Sequence, residues 1–232
     1  MDLINFDDAL NNLDFLVNEK IKMLEKNYVK FLDTTMAAIL NDNPFRRGHY
    51  MHIAGLSDCG KTHFVANLIA ENKDLSVIYI SSKQDDCLKI GQFENAHLFF
   101  NNTFENIIEY LNEIPKGLVD IVVIDGINNM CCKEESKGSF KIGSTQRKEF
   151  ESFLRQLRSQ FARLDSVGII VNGINKMNNK PKYQYIIDET SDLSFIIEKE
   201  TSTSTYNKIN INITKSRYNL DSFDAYINLM RW

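Results

Sequence analysis

The sequence predicts an α/β fold: a phosphate-loop core on a mostly parallel sheet flanked by helices, with β-rich C-terminal strands and an N-terminal helical segment. Three observations predict it. An ungapped Gly-x-x-x-x-Gly-Lys-Thr loop spans Gly55 to Thr62, apolar runs alternate with helical patterns around it, and the last third holds more alternating, β-rich segments. Near-continuous apolar strands between helices mean a parallel sheet covered on both faces.

Taken in order, residues 1–40 read as mainly helical. Leu10, Leu13, Leu16, Val17, Ile21, Leu24 and Val29 recur at three- and four-residue steps with charges between them. Asn41-Asp42-Asn43-Pro44 breaks that pattern, so the chain divides into a helical segment 1–40 and a core 41–232. Tyr50 to Ala54 reads as a strand and Phe64 to Ile69 as a helix. Ser76 to Ile80 is a buried strand, Leu98 to Phe100 a short one, and Thr103 to Leu111 a helix capped by Asn102 or Thr103. Asp120 to Asp125 and Val167 to Asn172 are fully apolar strands on either side of a long helix, Arg147 to Leu164. Leu193 to Lys199 and Lys208 to Lys215 alternate as half-buried strands do, with Thr201 to Thr205 as a hairpin tip between them.

The loop carries the chemistry. It lies between a strand and a helix, the context its pattern requires. Glycines at both ends let backbone N–H groups curl toward a phosphate, and the helix N-terminus adds partial positive charge. The expected nucleotide-binding residues are Gly55, Leu56, Ser57, Asp58, Cys59, Gly60, Lys61, Thr62 and His63. Lys61 would reach the terminal phosphates, and the Thr62 hydroxyl would ligate magnesium. Asp125 closes an apolar strand, where a carboxylate holds magnesium in phosphate-loop enzymes. Thr62 and Asp125 are therefore the candidate metal residues, with ATP and Mg2+ as cofactors. Gly126 follows Asp125, so a water-activating glutamate directly after this aspartate is absent.

Bulk properties narrow the class. The 232 residues are 43% hydrophobic and 25% charged, which fits one domain with at most a small appendage. A net charge of −4 argues against non-specific nucleic-acid binding by the whole surface, though not against a local basic patch. Cys59, Cys87, Cys131 and Cys132 lack metal-ligand spacing and read as reduced thiols. No N-terminal apolar run resembles a signal peptide, and no stretch approaches the ~18 apolar residues of a membrane span. An intracellular protein with no membrane partner is expected, nuclear in a eukaryote and cytoplasmic otherwise.

Around the phosphate loop and the strand of Asp125 the chain resembles the RecA family of recombination ATPases. The stretch Asn43 to Ile53, with Arg47-Gly48 before its strand, is similar to the approach to that family's phosphate loop. Ile121 to Asp125 looks like its magnesium strand, Arg147 to Asn172 like its long helix and next strand, and Thr214 to Tyr218 like its late Lys-x-Arg strand end. The likeness covers about residues 33–220, and only the phosphate loop is highly specific. It is strongest toward divergent paralogues of the eukaryotic and archaeal strand-exchange recombinase. Two departures matter. Lys83 stands where the resemblance implies a catalytic glutamate, leaving Gln84 and Asp85, with Asp86, as candidate bases. Gly173 stands where it implies a phosphate-sensing glutamine, with Asn175 the nearest replacement. Loss of a general base costs ~10²–10⁴-fold in rate, so binding would persist while hydrolysis slows.

The resemblance also implies partners. Its first DNA-binding loop would hold Lys133, Lys137, Lys141 and Arg147, and its second Lys176, Lys180, Lys182 and Tyr183. Tyr183 or Phe140 would stack on a base of single-stranded DNA; Lys-rich loops are equally common as solvated surface. Arg155, Arg158 and Arg163 read as a solvated helix face. Phe6 and Ala9 match the Phe-x-x-Ala docking pattern toward a recombinase or sister paralogue, and equally a helix packing on its own domain. The expected function is an ATP-binding recombination or DNA-repair factor with ATP-gated assembly and weak, DNA-dependent hydrolysis. A nucleotide or small-molecule kinase and a pseudo-ATPase interaction module are the alternatives.

Overall fold

The computed structural model describes residues 28–31, 34–40, 43–132, 143–175, 180–181, 184–202, 206–217 and 224–230. Its centre is a nine-stranded sheet. In chain order the elements are β1 (Tyr28–Val29), α1 (Thr34–Ile39), β2 (Phe45–Arg46), β3 (Tyr50–Gly55), α2 (Lys61–Glu71), β4 (Val77–Ser81) and α3 (Gln84–Ile90). Then come β5 (Ala96–Phe100), α4 (Phe104–Glu113), β6 (Ile121–Asp125), α5 (Gly143–Leu164), β7 (Val167–Asn175) and β8 (Lys180–Pro181). The chain ends in α6 (Gln184–Thr190), β9 (Leu193–Ser202), β10 (Tyr206–Ser216) and β11 (Asp224–Met230).

The sheet runs β11-β10-β9-β3-β7-β6-β4-β5, and β8 pairs with β7. Neighbours from β9 through β5 are parallel, while β10, β11 and β8 join antiparallel. Strand alternation splits the core into two layers. Met51, Ile53, Val123, Ile169 and Val171 face α1, α2 and α3, where they meet Met36, Phe64, Leu68 and Ile90. Tyr50, Val122, Ile124 and Ile170 face α4, α5 and α6, where they meet Ile107, Phe153, Leu157, Phe161 and Ile187. Burial on both faces is why these strands read as continuous apolar runs. In β10, Ile209, Ile211 and Ile213 are buried while Asn212 and Thr214 face solvent, which produces its alternation. Gly168 lets α5 come close: a Cβ there would lie 2.3 Å from the Phe161 ring.

Several expectations need correction. Val29 lies in β1, paired antiparallel with Phe45, and not on a helix. Val29, Phe31, Met36, Ile39 and Leu40 pack into the same core cluster as β3 and α2. Residues 1–27, with Phe6 and Ala9, lie outside the described residues. Thr103 occupies the N-cap of α4, as one of the two expected residues, but makes no side-chain cap bond. The Asn101 Oδ1 instead accepts from the Thr103 N–H at 2.9 Å and the Thr103 hydroxyl at 3.0 Å. Thr201 and Ser202 belong to β9, and the rest of the expected hairpin tip lies outside the described residues.

Of the expected solvated face, Arg155 and Arg163 are exposed and Arg158 is half-buried, but Arg158 and Arg163 also bond across elements. Arg163 donates to the Leu111 carbonyl and to Ile114 O at 3.0 Å, tying α5 to the end of α4. Arg158 donates to the Thr190 carbonyl and reaches the buried Asp192 carboxylate at 3.3 Å. Arg217 meets the same carboxylate at 3.0 Å, and the Tyr50 N–H donates to it at 3.1 Å. Arg155 is exposed and paired with Glu151 on the same helix. These contacts staple the N-terminal edge of the sheet and leave its C-terminal edge for the phosphate loop. Among the described residues, no helix is long and apolar enough to cross a membrane.

His52, in β3, is fully buried on the α5 side of the sheet, and its Nε2 has no hydrogen-bond partner among the described residues. Burial pushes its pKa down to about 3 from an ordinary 6.5. The unfolded chain therefore takes up a proton below pH 6.5 that the fold refuses until about pH 3. The sign follows: this stability is full above pH 6.5 and is lost as pH falls toward 3, on the order of 1 kcal/mol per pH unit. Urea midpoints at pH 7 and pH 5 are expected to differ less in His52→Leu than in the wild type; equal slopes would show that His52 does not carry the effect.

Candidate functional site

β3 ends at Gly55, where only glycine fits: a Cβ would lie 2.4 Å from Cys59 Sγ and 2.6 Å from Ile197 O. The loop then turns through two left-handed residues, Asp58 at φ 62° and Gly60 at φ 104°. Gly60 needs no side chain to hold that angle, and α2 starts directly after it. Its carbonyl accepts the Phe64 N–H at 2.8 Å, which closes the first turn of α2 beside the loop. Cys59 is buried, and burial above all pushes its thiol up, so it fills space as a neutral group.

Lys61 lies along its own loop. Its Nζ donates to Gly55 O at 2.9 Å and Leu56 O at 2.6 Å. An arriving phosphate would exchange these two neutral acceptors for charged ones. The Thr62 hydroxyl donates to Asp125 Oδ2 at 3.1 Å, and the Tyr79 hydroxyl donates to the same oxygen at 2.5 Å. The sequence thus gives two residues far apart in the chain, Thr62 and Asp125, that the fold brings into contact.

Asp125 is buried at the C-terminal end of β6, and its carboxyl is held above the usual carboxylate range. Desolvation is the main cause; the bonds from Tyr79 and Thr62 and the charge of Lys61 oppose it, and Asp86 adds to it. Among the described residues no ion pair neutralises it. A buried carboxylate beside a hydroxyl, with no cation of its own, fits a magnesium ion that takes few protein ligands and completes its shell with water and phosphate oxygens. No cluster of three or more His, Cys, Asp or Glu ligands exists among the described residues. Asp125→Asn is expected to weaken magnesium-dependent ATP affinity about 10- to 100-fold while leaving the fold intact. Titration with and without EDTA checks this; an unchanged magnesium dependence would remove Asp125 from the metal site.

These groups line one cavity of about 680 Å³ at the C-terminal edge of the sheet. From the loop it takes Ser57, Asp58, Gly60, Lys61, Thr62 and His63, and from the strand ends Asp125, Gly126, Asn172 and Gly173. Lys83 lines it too, as the residue preceding α3, with its N–H held by Ser81 Oγ at 3.1 Å. Gln84 and Asp85 are exposed on the first turn of α3 and do not line the cavity; Asp86 does. Asp86 also pairs with Lys89 at 3.4 Å.

The sequence reading missed several lining residues, among them Asn128, Asn129, Lys89 and Lys199, and one supporting one. Asn128 and Asn129 follow Asp125-Gly126 in a single turn, Ile127–Asn129, and their position after a strand-end aspartate was a usable signal. Lys89 lies one turn beyond Asp86. Lys199 arrives from β9 and has no local signal, because it depends on β9 pairing with β3. Tyr79 supports Asp125 from within β4.

The remaining candidates lie elsewhere. Arg147 is exposed on α5, its guanidinium 5.8 Å from the centre of the Tyr185 ring. Lys180 sits on β8, opposite Asn175 of β7. Lys133, Lys137, Phe140, Lys141, Lys176, Lys182 and Tyr183 fall outside the described residues. No protein-family model matches the chain, and no curated protein matches it in sequence.

Proposed function

We propose that the protein is an ATP-binding, RecA-like factor of homologous recombination or DNA repair that works as a nucleotide-gated assembly switch with weak hydrolysis. One observation carries this reading. Lys61, Thr62 and Asp125 meet in a single cavity, while Lys83 and Gly173 occupy two strand ends on its rim where a base and a sensor would be useful. Lys61, Thr62 and Asp125 suit the holding of Mg-ATP, and among the described candidate bases Asp86 alone lines the cavity, where it pairs with Lys89.

The strand order supports the family side of the proposal. β7 lies between the phosphate-loop strand β3 and the magnesium strand β6, and the C-terminal strands extend the sheet beyond β3. Residues 193–202, 206–216 and 224–230 are therefore sheet strands, not the lid over the cavity that a kinase needs to exclude water. Nucleotide bound at the sheet edge would favour an assembled form in proportion to its preference for that form. The partners in this reading are a recombinase or sister paralogue subunit and single-stranded DNA.

Light scattering and single-stranded DNA retention, each with no nucleotide, ADP and ATP, test the proposal. ATP is expected to change assembly or retention, with slow hydrolysis that DNA stimulates. Identical behaviour in all three states would sink the switch. Phosphate transfer to a nucleoside monophosphate would replace it with a kinase.

A further inference from the structure

Gly126 follows Asp125 at φ 76° and sends the chain into the turn Ile127–Asn129 on the rim of the cavity. The Gly126 N–H donates to Val171 O at 3.1 Å, so the turn is fixed against β7. From it Asn128 reaches across to β7, where its Oδ1 accepts the Gly173 N–H at 3.1 Å. Because that partner is a donor, the amide orientation is fixed: the oxygen faces β7 and the NH2 faces away. One N–H of that group donates to Asn129 Oδ1 at 3.1 Å, a side chain that is itself exposed. A primary amide has a second N–H to give.

The glycine at 173 belongs to the same arrangement. A Cβ there would stand 3.2 Å from Asn128 Nδ2 and 3.4 Å from its Oδ1. The space a side chain at 173 would use is filled by Asn128 from the neighbouring strand's turn. Both residues line the cavity that holds Lys61, Thr62 and Asp125. Beyond Gly173, β7 continues into Ile174 and Asn175, which pair with Pro181 and Lys180 of β8.

We propose that Asn128 is the contact for the terminal phosphate of a bound nucleoside triphosphate, and that it couples this phosphate to the β7–β8 hairpin through its bond to Gly173. The inference rests on the nucleotide reading above and adds how the site distinguishes ATP from ADP. An amide N–H to a charged phosphate strengthens binding only when the third phosphate is present. The same side chain holds the backbone at the base of the hairpin, so a shift of Asn128 toward phosphate moves Gly173 with it.

Calorimetric affinities for Mg-ATP and Mg-ADP, with amide exchange over residues 173–181 in each state, test this on the full chain. Asn128→Ala is expected to lower the ATP-to-ADP affinity ratio about 10-fold with ADP affinity held within about threefold, and to erase the exchange difference between the two states. Asn128→Asp keeps an acceptor for the Gly173 N–H but loses the donor, and is expected to lower the ratio as well. Should Asn128→Ala fail to fold, Gly173→Ala, which crowds Asn128 while leaving it in place, is expected to lower the ratio and the exchange difference alike. An unchanged ratio in these variants, or Asn128→Asp behaving as wild type, overturns the proposal. Wild-type protein that binds ATP and ADP equally also overturns it while the nucleotide reading stands; wild-type protein that binds neither sinks the nucleotide reading itself.

Discussion

Lys61→Ala is expected to lower Mg-ATP affinity by about 10²- to 10³-fold without lowering thermal stability. The magnitude follows from two charge-assisted hydrogen bonds to phosphate, each ~1.5–3 kcal/mol, less what desolvation takes back. The absence of a stability cost follows from what Lys61 does now. Its ammonium donates to Gly55 O and Leu56 O beside the open cavity; Leu56 is 39% exposed, while Gly55 is buried at the end of β3. Water can replace it there. The loop keeps its shape chiefly through the close packing at Gly55, the buried Cys59 and the left-handed Gly60, to which Lys61 adds only contacts with Gly55 O and Cys59 Sγ. Equilibrium titration with a fluorescent ATP analogue, paired with a thermal melt, reads both halves. A variant that melts earlier would mean that Lys61 is a structural clip, and unchanged affinity would mean that the cavity does not bind triphosphate through its loop.

How much of this was legible depends on how local each feature is. The strand, loop and helix around Gly55 to Thr62 are contiguous and governed by glycine conformations and apolar periodicity, so they are readable residue by residue. The inner strands announce themselves because both of their faces are buried. α3 and α6 were missed because seven residues give less than two turns of periodicity, and in α3 only Cys87 and Ile90 are buried while Leu88 is exposed. Arg158 and Arg163 look like surface charge in sequence, since their partners are the distant Asp192 and backbone carbonyls, which leave no trace in charge patterning. The site divides in the same way. Lys61, Thr62 and Asp125 carry their own signals, whereas Asn128 and Lys199 acquire roles only when β6, β7 and β9 come together at one edge. The absence of a side chain at Gly173 is visible in the sequence, but that a neighbouring turn fills its space is not.

Lys83→Glu is expected to raise ATP turnover by about 10²-fold, at a severalfold loss of ATP affinity. The position makes this a sharp test. Ser81 pairs in register with Asp125 across β4 and β6, and its hydroxyl holds the Lys83 N–H at 3.1 Å, so residue 83 leaves the strand beside the Asp125 carboxylate. Its side chain lines the same cavity as Lys61 and Asp125. An ammonium there attracts a triphosphate but cannot accept a proton from attacking water. A carboxylate there can, and general-base help of this kind contributes ~10²–10⁴-fold in other enzymes. The lower end applies, because a glutamate placed without supporting hydrogen bonds is poorly aimed. The affinity loss follows from exchanging a cation for an anion near phosphate. Lys83→Gln separates the two effects: it removes the attraction without supplying a base, so it is expected to weaken ATP binding and leave turnover flat. Steady-state hydrolysis at saturating Mg-ATP, for wild type and both variants, decides between them. Should glutamate and glutamine give the same turnover, residue 83 does not stand where water attacks, and slow hydrolysis would have to arise from elsewhere in the cavity.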